Sequence, residues 1–332
     1  MIRTLTEKEI EISGEKKIYG TLARPASAYT DEKFPAVLMI SGSGPLDRNG
    51  NGPKGKYQLN VYKELAEYIT KLGFITFRYD KRGTGKSEGD WISTGMWDLV
   101  DDAELAFKFL QNHPQVDRDK IIVAGHSEGT IIGTALSERQ ELNGLMLLSG
   151  GVGNLHEFTT YQRMLTYQEL KNSKGIKGLL MRLLINEEKA ETKTQKQTKK
   201  IIESNKDVYK ILFFFKQPAK WIREHFAYNP RVGLKKVTYP VIAIHGDKDG
   251  LVDPSLLEEL SSLVKGPSET HIIKDMEHGF RFQYEQKSMV NVKKMLKVLP
   301  SRPLNPDSLG VIESWLTKYF KADVSSDIKE NA

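Results

Sequence analysis

Two stretches of this 332-residue chain fit the pattern G-x-S-x-G, a turn that can present a serine hydroxyl as a nucleophile: GKSEG at 85–89 and GHSEG at 125–129. The first lies within RGTGKSEG (82–89), whose GKS also resembles the tail of a phosphate-binding loop. Such a loop needs a glycine five residues before its second glycine, so that backbone N–H groups can wrap the phosphate. Here that position is Asp80, a carboxylate that would repel the ligand, and no obvious helix follows Ser87. A calcium loop fails in a similar way. In SGSGPLDRNGNG (41–52) the run from Asp47 copies the first half of the EF-hand pattern, but the twelfth position is Gln58 instead of a bidentate Glu. Neither a metal nor an organic cofactor is expected.

Context separates the two serine motifs. A nucleophile elbow turns from a strand straight into a helix, and its flanking positions are glycines because side chains there would strike the strand and the helix. GHSEG is entered from KIIVAG and left through TIIGTALSER, which has helical periodicity. GKSEG leaves into DWISTG, a loop composition. Ser127 is therefore the candidate nucleophile and Ser87 a turn serine.

A serine needs a base, and the base needs an orienting acid. Of seven histidines, His278 stands in DMEHGF just after the apolar run THIIKD, on a loop beyond a strand's carboxyl end, where sites form in open α/β sheets. His126 adjoins the serine, but its side chain should point away from it. His245 ends a strand, where a packed or hydrogen-bonded imidazole is the common outcome. His113, His156, His225 and His271 lack the loop setting and read as surface or structural. For the acid, HGDKDGLVDP offers Asp247, Asp249 and Asp253. Asp247 can form the turn, and Asp253, before Pro254, suits a helix N-cap.

The elements that must hold these residues alternate. Strand candidates are 9–13, 17–23, 36–41, 74–79, 120–125, 144–149, 241–246 and 270–275; amphipathic helices fall at 57–73, 96–113, 254–266 and 307–320. Two early strands followed by β-α alternation predict a mostly parallel α/β sheet with a short antiparallel lead-in. Residues 152–233 break the alternation. They offer helical patterns, GIKGLLMRLLINEE and DVYKILFFFKQPAKWIREHF, joined by the polar run KAETKTQKQTKK, and predict a helical cap inserted into a core of 1–151 and 234–332. An irregular piece, 281–306, separates the last strand from the last helix.

The bulk numbers limit the function classes. With 39% hydrophobic residues the chain can bury a sizeable core, and with no cysteine it can hold no disulfide, thiolate metal site or cysteine nucleophile. No stretch approaches 18 apolar residues, and MIRTLTEKEIEIS lacks the run of a signal peptide, so the expectation is a cytoplasmic protein without stable membrane insertion and without a nucleic-acid partner. The net charge of +6 is uneven: 152–233 holds 16 Lys and Arg against 8 Asp and Glu, leaving the rest slightly acidic. That excess either solvates the segment's outer face or attracts an anionic substrate or membrane surface.

Together, SGSGPLDRNG, YDKRGTGKSEG, GHSEG, HGDKDGLV and EHGF give the chain a resemblance to the α/β-hydrolases over residues 10–151 and 234–321, closest to bacterial carboxylesterases of the dienelactone-hydrolase-like and serine-aminopeptidase-like branches. The resemblance implies an eight-stranded, mostly parallel sheet flanked by helices. It implies that the acid is Asp249, three residues after the glycine of H-G-x-x-D, and that Asp80, Arg82 and Ser87 hold a turn beside the site. Relatives usually begin the oxyanion loop with His-Gly, and here it is Ser41-Gly42. On this basis Ser127 attacks an ester carbonyl, His278 moves the proton, Asp249 orients the imidazole, and the backbone N–H groups of Ser43 and Glu128 hold the oxyanion. The partner is then a small-molecule ester, selected mainly by the cap, whose apolar runs LLMRLL and ILFFF either line an acyl pocket or, as the simpler reading, bury the cap on the body.

Overall fold

The computed structural model describes residues 5–26, 32–175, 186–212 and 214–321. Eight strands form one sheet: β1 (Leu5–Ile12), β2 (Ile18–Pro25), β3 (Phe34–Ile40), β4 (Ile75–Tyr79), β5 (Val116–His126), β6 (Gly144–Leu148), then β9 (Val241–Gly246) and β10 (Ser268–Ile273). Their spatial order is β1-β2-β4-β3-β5-β6-β9-β10; β1 and β2 run antiparallel and β4 to β10 run parallel. This is the doubly covered α/β sheet that the strand-helix alternation predicts.

The strands alternate apolar residues to two faces, and each face buries a separate core. Val37 and Met39 of β3 pack with α1 (Val61–Lys71) and the last helix, α10 (Pro306–Phe320), around Trp315 and Phe74. Leu38 and Ile40 face the other way, onto α2 (Met96–Asn112) and α3 (Glu128–Ser137). β5 lies near the centre of the sheet, so its carboxyl end emerges flanked by β3 and β6.

Between β6 and β9 the chain forms α4 (Leu155–Asn172), α5 (Glu187–Ile202), a two-stranded hairpin of β7 (Val208–Ile211) and β8 (Phe215–Pro218), α6 (Ala219–Ala227) and α7 (Pro230–Leu234). Two local expectations are corrected here. DVYKILFFFKQP is a hairpin and not a helix, because Val208, Tyr209, Ile211 and Phe215 favour the extended backbone and pair across it. The run KAETKTQKQTKK is helical: Asn186 caps it by accepting the Lys189 N–H at 2.9 Å, with Glu187 and Glu188 in its first turn and Lys199 and Lys200 in its last. LLMRLL of the GIKGLLMRLLINEE pattern, over 176–185, lies outside the described residues. The expected helix 254–266 is only a 3₁₀ turn at Pro254–Leu257 and one turn at Leu260–Leu263 (α8). It breaks because the connection must bury Leu257, Leu260, Leu263 and Val264 on the sheet. The piece 281–306 contains a further helix, α9 (Val292–Val298).

The turn 80–89 is held from inside. Asp80 accepts the Arg48 and Lys86 backbone N–H groups at 2.7 and 2.9 Å and the Arg48 guanidinium at 2.7 Å. The Ser87 hydroxyl donates to the Asp80 carbonyl at 2.7 Å and accepts the Tyr19 N–H at 2.9 Å. Both functions of that hydroxyl are spent on the turn. Arg82 makes a bidentate pair with buried Asp102, at 2.8 and 2.6 Å. Removing one partner of a buried pair leaves an uncompensated charge, so Arg82→Met is expected to lower unfolding free energy by about 3–5 kcal/mol. A urea denaturation midpoint close to that of the unaltered chain would contradict this account of the turn.

Candidate active site

β5 becomes α3 through one residue, Ser127, whose φ of 54° and ψ of −118° lie outside the ordinary regions for a side-chain-bearing residue. The turn closes because its neighbours are glycines: a Cβ on Gly125 would collide with the Gly129 carbonyl, and one on Gly129 with the Ile40 carbonyl. The Ser127 N–H donates to the Leu148 carbonyl at 2.8 Å, which ties the turn to β6. Ser127 is thereby lifted above the carboxyl edge of the sheet.

The loops after β9 and β10 bring the other two candidates together. His278 Nδ1 lies 2.7 Å from Asp249 Oδ2. Asp249 is fully buried, and its other oxygen accepts the N–H groups of Leu251 at 2.7 Å and Val252 at 3.1 Å. A third group also meets this carboxylate: His245, expected as a packed or hydrogen-bonded imidazole, has Nε2 2.9 Å from Oδ2, a partner the sequence did not name. Burial alone would raise the Asp249 pKa, but the charge of His278 and the hydrogen bonds from His245 and His278 outweigh it and hold the carboxyl well below its usual range. Burial would lower His278, and the Asp249 charge and hydrogen bond reverse that and raise it. The signal for His245 was its spacing of four residues from Asp249 in H-G-x-x-D, but only the fold shows that both side chains turn inward.

Asp247 and Asp253 take the structural parts weighed for them. Asp247 stands at the turn after β9, its N–H on the Ile273 carbonyl, and Asp253 accepts the Ser255 N–H at 3.1 Å ahead of Pro254. Asp47 likewise turns its carboxylate onto the N–H groups of Asn49 and Asn51, at 2.8 and 2.9 Å.

His126 is wholly occupied. Its Nε2 faces the His278 carbonyl at 2.8 Å, and a carbonyl only accepts, so Nε2 carries the proton. Nδ1 is then an acceptor, and the Tyr62 hydroxyl, 2.9 Å away, donates to it. The Tyr62 oxygen in turn accepts the Gly42 N–H at 2.8 Å. Burial, aided by the nearby His278 charge, pushes the His126 pKa down to about 3, so the ring stays neutral. This buried chain links the loop after β3, the end of β5 and the His278 loop.

Glu128 begins α3, where backbone N–H groups have no partner within the helix. Its side chain is buried, 3.2 Å from Lys81 Nζ and 3.1 Å from His225 Nε2, and it accepts the Trp221 indole N–H. Burial opposes its ionisation, yet Lys81 and the His225 and Trp221 bonds hold it charged, with a pKa down at about 2. Lys81 Nζ also donates to the Gly42 carbonyl at 2.5 Å. Trp221 and His225 belong to α6, so the segment after β6 is fastened to the residue that follows the serine. Sequence reading had placed His225 merely among surface or structural positions.

Ser127, His278, Ser43 and Glu128 line one cavity of about 380 Å³. Among the described residues no hydrogen bond joins Ser127 to His278, and such bonds commonly tighten only when substrate is bound. The loop at Ser41–Gly44 lies directly against the serine, since a Cβ on Gly42 would come within 3.1 Å of the Ser127 Cβ. The cavity's apolar wall corrects an expectation. Leu155 and Phe158 of α4 contribute, but so do Val292, Met295 and Leu296 of α9, with Leu299, and Ile211, Leu212, Phe214 and Phe215 of ILFFF are not among the lining residues. Arg281, bonded to Glu64 at 2.6 Å and to the Arg302 carbonyl at 2.5 Å, fastens both ends of this irregular piece to the body.

Comparison with known proteins agrees with this architecture. A family model described as serine aminopeptidase, S33, matches residues 56–283. Esterase EstD of Thermotoga maritima is 26% identical over 246 residues, spanning 73% of this chain and 52% of EstD. An uncharacterized peptidase of Bacillus subtilis, YtmA, is 27% identical over 212 residues, spanning 63% of this chain and 66% of YtmA. The chain thus matches about half to two thirds of the length of these curated relatives. Among solved structures, Est1E from Butyrivibrio proteoclasticus with bound ferulic acid has a TM-score of 0.56 at 19% identity, covering 87% of this chain and 96% of that one. The Pyrococcus furiosus esterase PF2001 also has a TM-score of 0.56, at 16% identity, covering 95% and 91%. At such identities the likeness is one of fold. With most of its length matched by the family model, the chain belongs to the serine aminopeptidase S33 family and has the α/β-hydrolase fold.

Proposed function

We propose that this protein is a serine hydrolase that cleaves carboxylic esters of small to medium acyl chains through an acyl-enzyme. The reading rests chiefly on the 2.7 Å contact between His278 Nδ1 and buried Asp249, on the cavity shared by His278 and the strained Ser127. Asp249 accepts the Nδ1 proton and leaves the Nε2 lone pair as the base. Nε2 takes the Ser127 proton as the oxygen attacks the carbonyl, then delivers it to the leaving alcohol. Water repeats the sequence to free the acid. The N–H groups of Ser43 and Glu128 receive the oxyanion, a contribution of about 2.7–4 kcal/mol for each such donor. Residues 152–233 act as a cap, fastened through Trp221 and His225 and supplying Leu155 and Phe158 to the acyl wall.

The peptidase reading suggested by the family's description has one feature in its favour, the buried Glu277 carboxylate on the cavity wall, which could meet a substrate amine. That carboxylate already accepts the Arg281 N–H at 3.0 Å, and the wall around it is mostly apolar. An acyl chain fits the wall better.

Three measurements follow. With p-nitrophenyl esters of increasing acyl length, Ser127→Ala is expected to lose kcat on the order of 10⁶-fold, whereas Ser87→Ala keeps activity; the reverse pattern would transfer the nucleophile to the first motif. Asp249→Asn is expected to lower kcat about 10⁴-fold by allowing the wrong tautomer. It should also move the acid limb of kcat/KM down in pH. The neutral base is the active form, and Asp249 raises the His278 pKa, so in the unaltered protein activity falls away from above the ordinary histidine value of about 6.5. An acid limb that stays in place in Asp249→Asn would separate His278 from the rate. Met295→Trp, filling the α9 wall, is expected to shorten the preferred acyl chain, and an unchanged optimum would place the acyl group elsewhere.

A further inference from the structure

The hairpin between α5 and α6 breaks three local rules at its exposed lysine pair and tip. Lys210 and Lys216 stand directly opposite each other across β7 and β8, and both are exposed. Like charges in that position oppose pairing. At the tip, Leu212 has a φ of 48°, a left-handed conformation that glycine or asparagine adopts at much lower cost. Leu212, Phe214 and Phe215 are 73, 85 and 65% exposed, the most solvent-laden apolar cluster among the described residues. An isolated two-stranded hairpin is marginal in water even without these features.

Beside the hairpin, Lys189, Lys193, Lys196 and Lys200 recur at intervals of four, three and four along α5, which places them on one face of the helix. All four are exposed, and among the described residues none has an ion-pair partner. The acidic residue Glu191 points elsewhere, to Arg163 of α4 at 2.9 Å. The lysine face and the hairpin enclose one open groove of about 710 Å³, lined also by Lys210 and Leu212. Through Leu212 the cationic stripe thus adjoins the apolar tip.

We propose that this surface docks the protein on an anionic lipid bilayer, with the lysines at the headgroups and Leu212, Phe214 and Phe215 sunk into the interface. Charge complementarity selects the partner's sign, and the apolar tip selects its kind. A soluble anion would engage the lysines and leave the three side chains wet, and a second copy of the chain would set lysine face against lysine face. In the described residues no helix is long and apolar enough to cross a membrane, so the attachment is peripheral and reversible.

The test is co-sedimentation of the full chain with phosphatidylcholine vesicles, with and without about 30% phosphatidylserine, at low and high salt. Binding is expected to the anionic vesicles and to fall steeply with salt. Lys193→Glu with Lys196→Glu should weaken it on the order of 100-fold or more, because each charge near such a surface changes partitioning several-fold. A triple variant, Leu212→Ser, Phe214→Ser and Phe215→Ser, keeps every lysine and should weaken it at least about tenfold. Circular dichroism and a urea midpoint verify that the variants fold. Absence of binding to anionic vesicles, equal binding to neutral ones, or binding unchanged in either variant would overturn the proposal. So would sedimentation velocity, or titration with a uridine oligonucleotide, showing that the tip variant loses only self-association or RNA binding.

Discussion

The candidate site depends on one steric constraint: β5 must turn into α3 within a single residue. That is possible only where the strand, the helix and the neighbouring β3 leave no room for a side chain, so positions 125 and 129 must be glycine. Ser127 then carries the backbone strain, with φ at 54°. Rigid packing on both faces of the sheet holds it there, since the cores around Leu38 and Val37 fix β3 and β5 in register. Everything else at the site is arranged around that raised residue.

Two buried carboxylates organise the surroundings, each in its own way. Asp249 has its oxygens filled by His278, His245 and two backbone N–H groups, which makes an acceptor of fixed direction. Glu128 works at a distance from chemistry: its backbone stands at the start of α3 while its side chain is held by Lys81, Trp221 and His225. One residue thus connects the proposed oxyanion site to the segment between β6 and β9. The neutral chain Gly42, Tyr62, His126 and the His278 carbonyl performs a related task without charge, by joining three loops that are distant in sequence. It also fixes the loop beginning Ser41-Gly42 through the Gly42 N–H.

The body of the fold was legible because parallel strands buried on both faces read as short apolar runs, and helices between them carry a 3.6-residue period. Legibility fell where local preference and tertiary burial diverge. The segment 208–218 has enough apolar residues for a helix pattern, yet its β-branched and aromatic members pair as a hairpin. The run 189–200, apolar at no position that marks a core face, is a helix through its cap and its end charges. The piece 281–306 looked irregular because its helix is short and Arg281 anchors it to α1, so the cavity wall formed by Val292, Met295, Leu296 and Leu299 was not read from the sequence.

By itself the sequence determined the alternating sheet and the elbow at Gly125–Gly129, and it placed His278 after a strand end, because each follows from spacing along the chain; among Asp247, Asp249 and Asp253 only the resemblance to a family chose Asp249. It also determined that Ser87 belongs to a turn, since no helix follows it. Only the tertiary structure decided which groups meet Asp249 and Glu128, which wall faces Ser127, and where the basic segment points. Apart from His245, four residues from Asp249, those outcomes depend on side chains separated by tens to hundreds of positions. Their contacts are set by how two cores pack against one sheet, and no local pattern in the sequence encodes that distance.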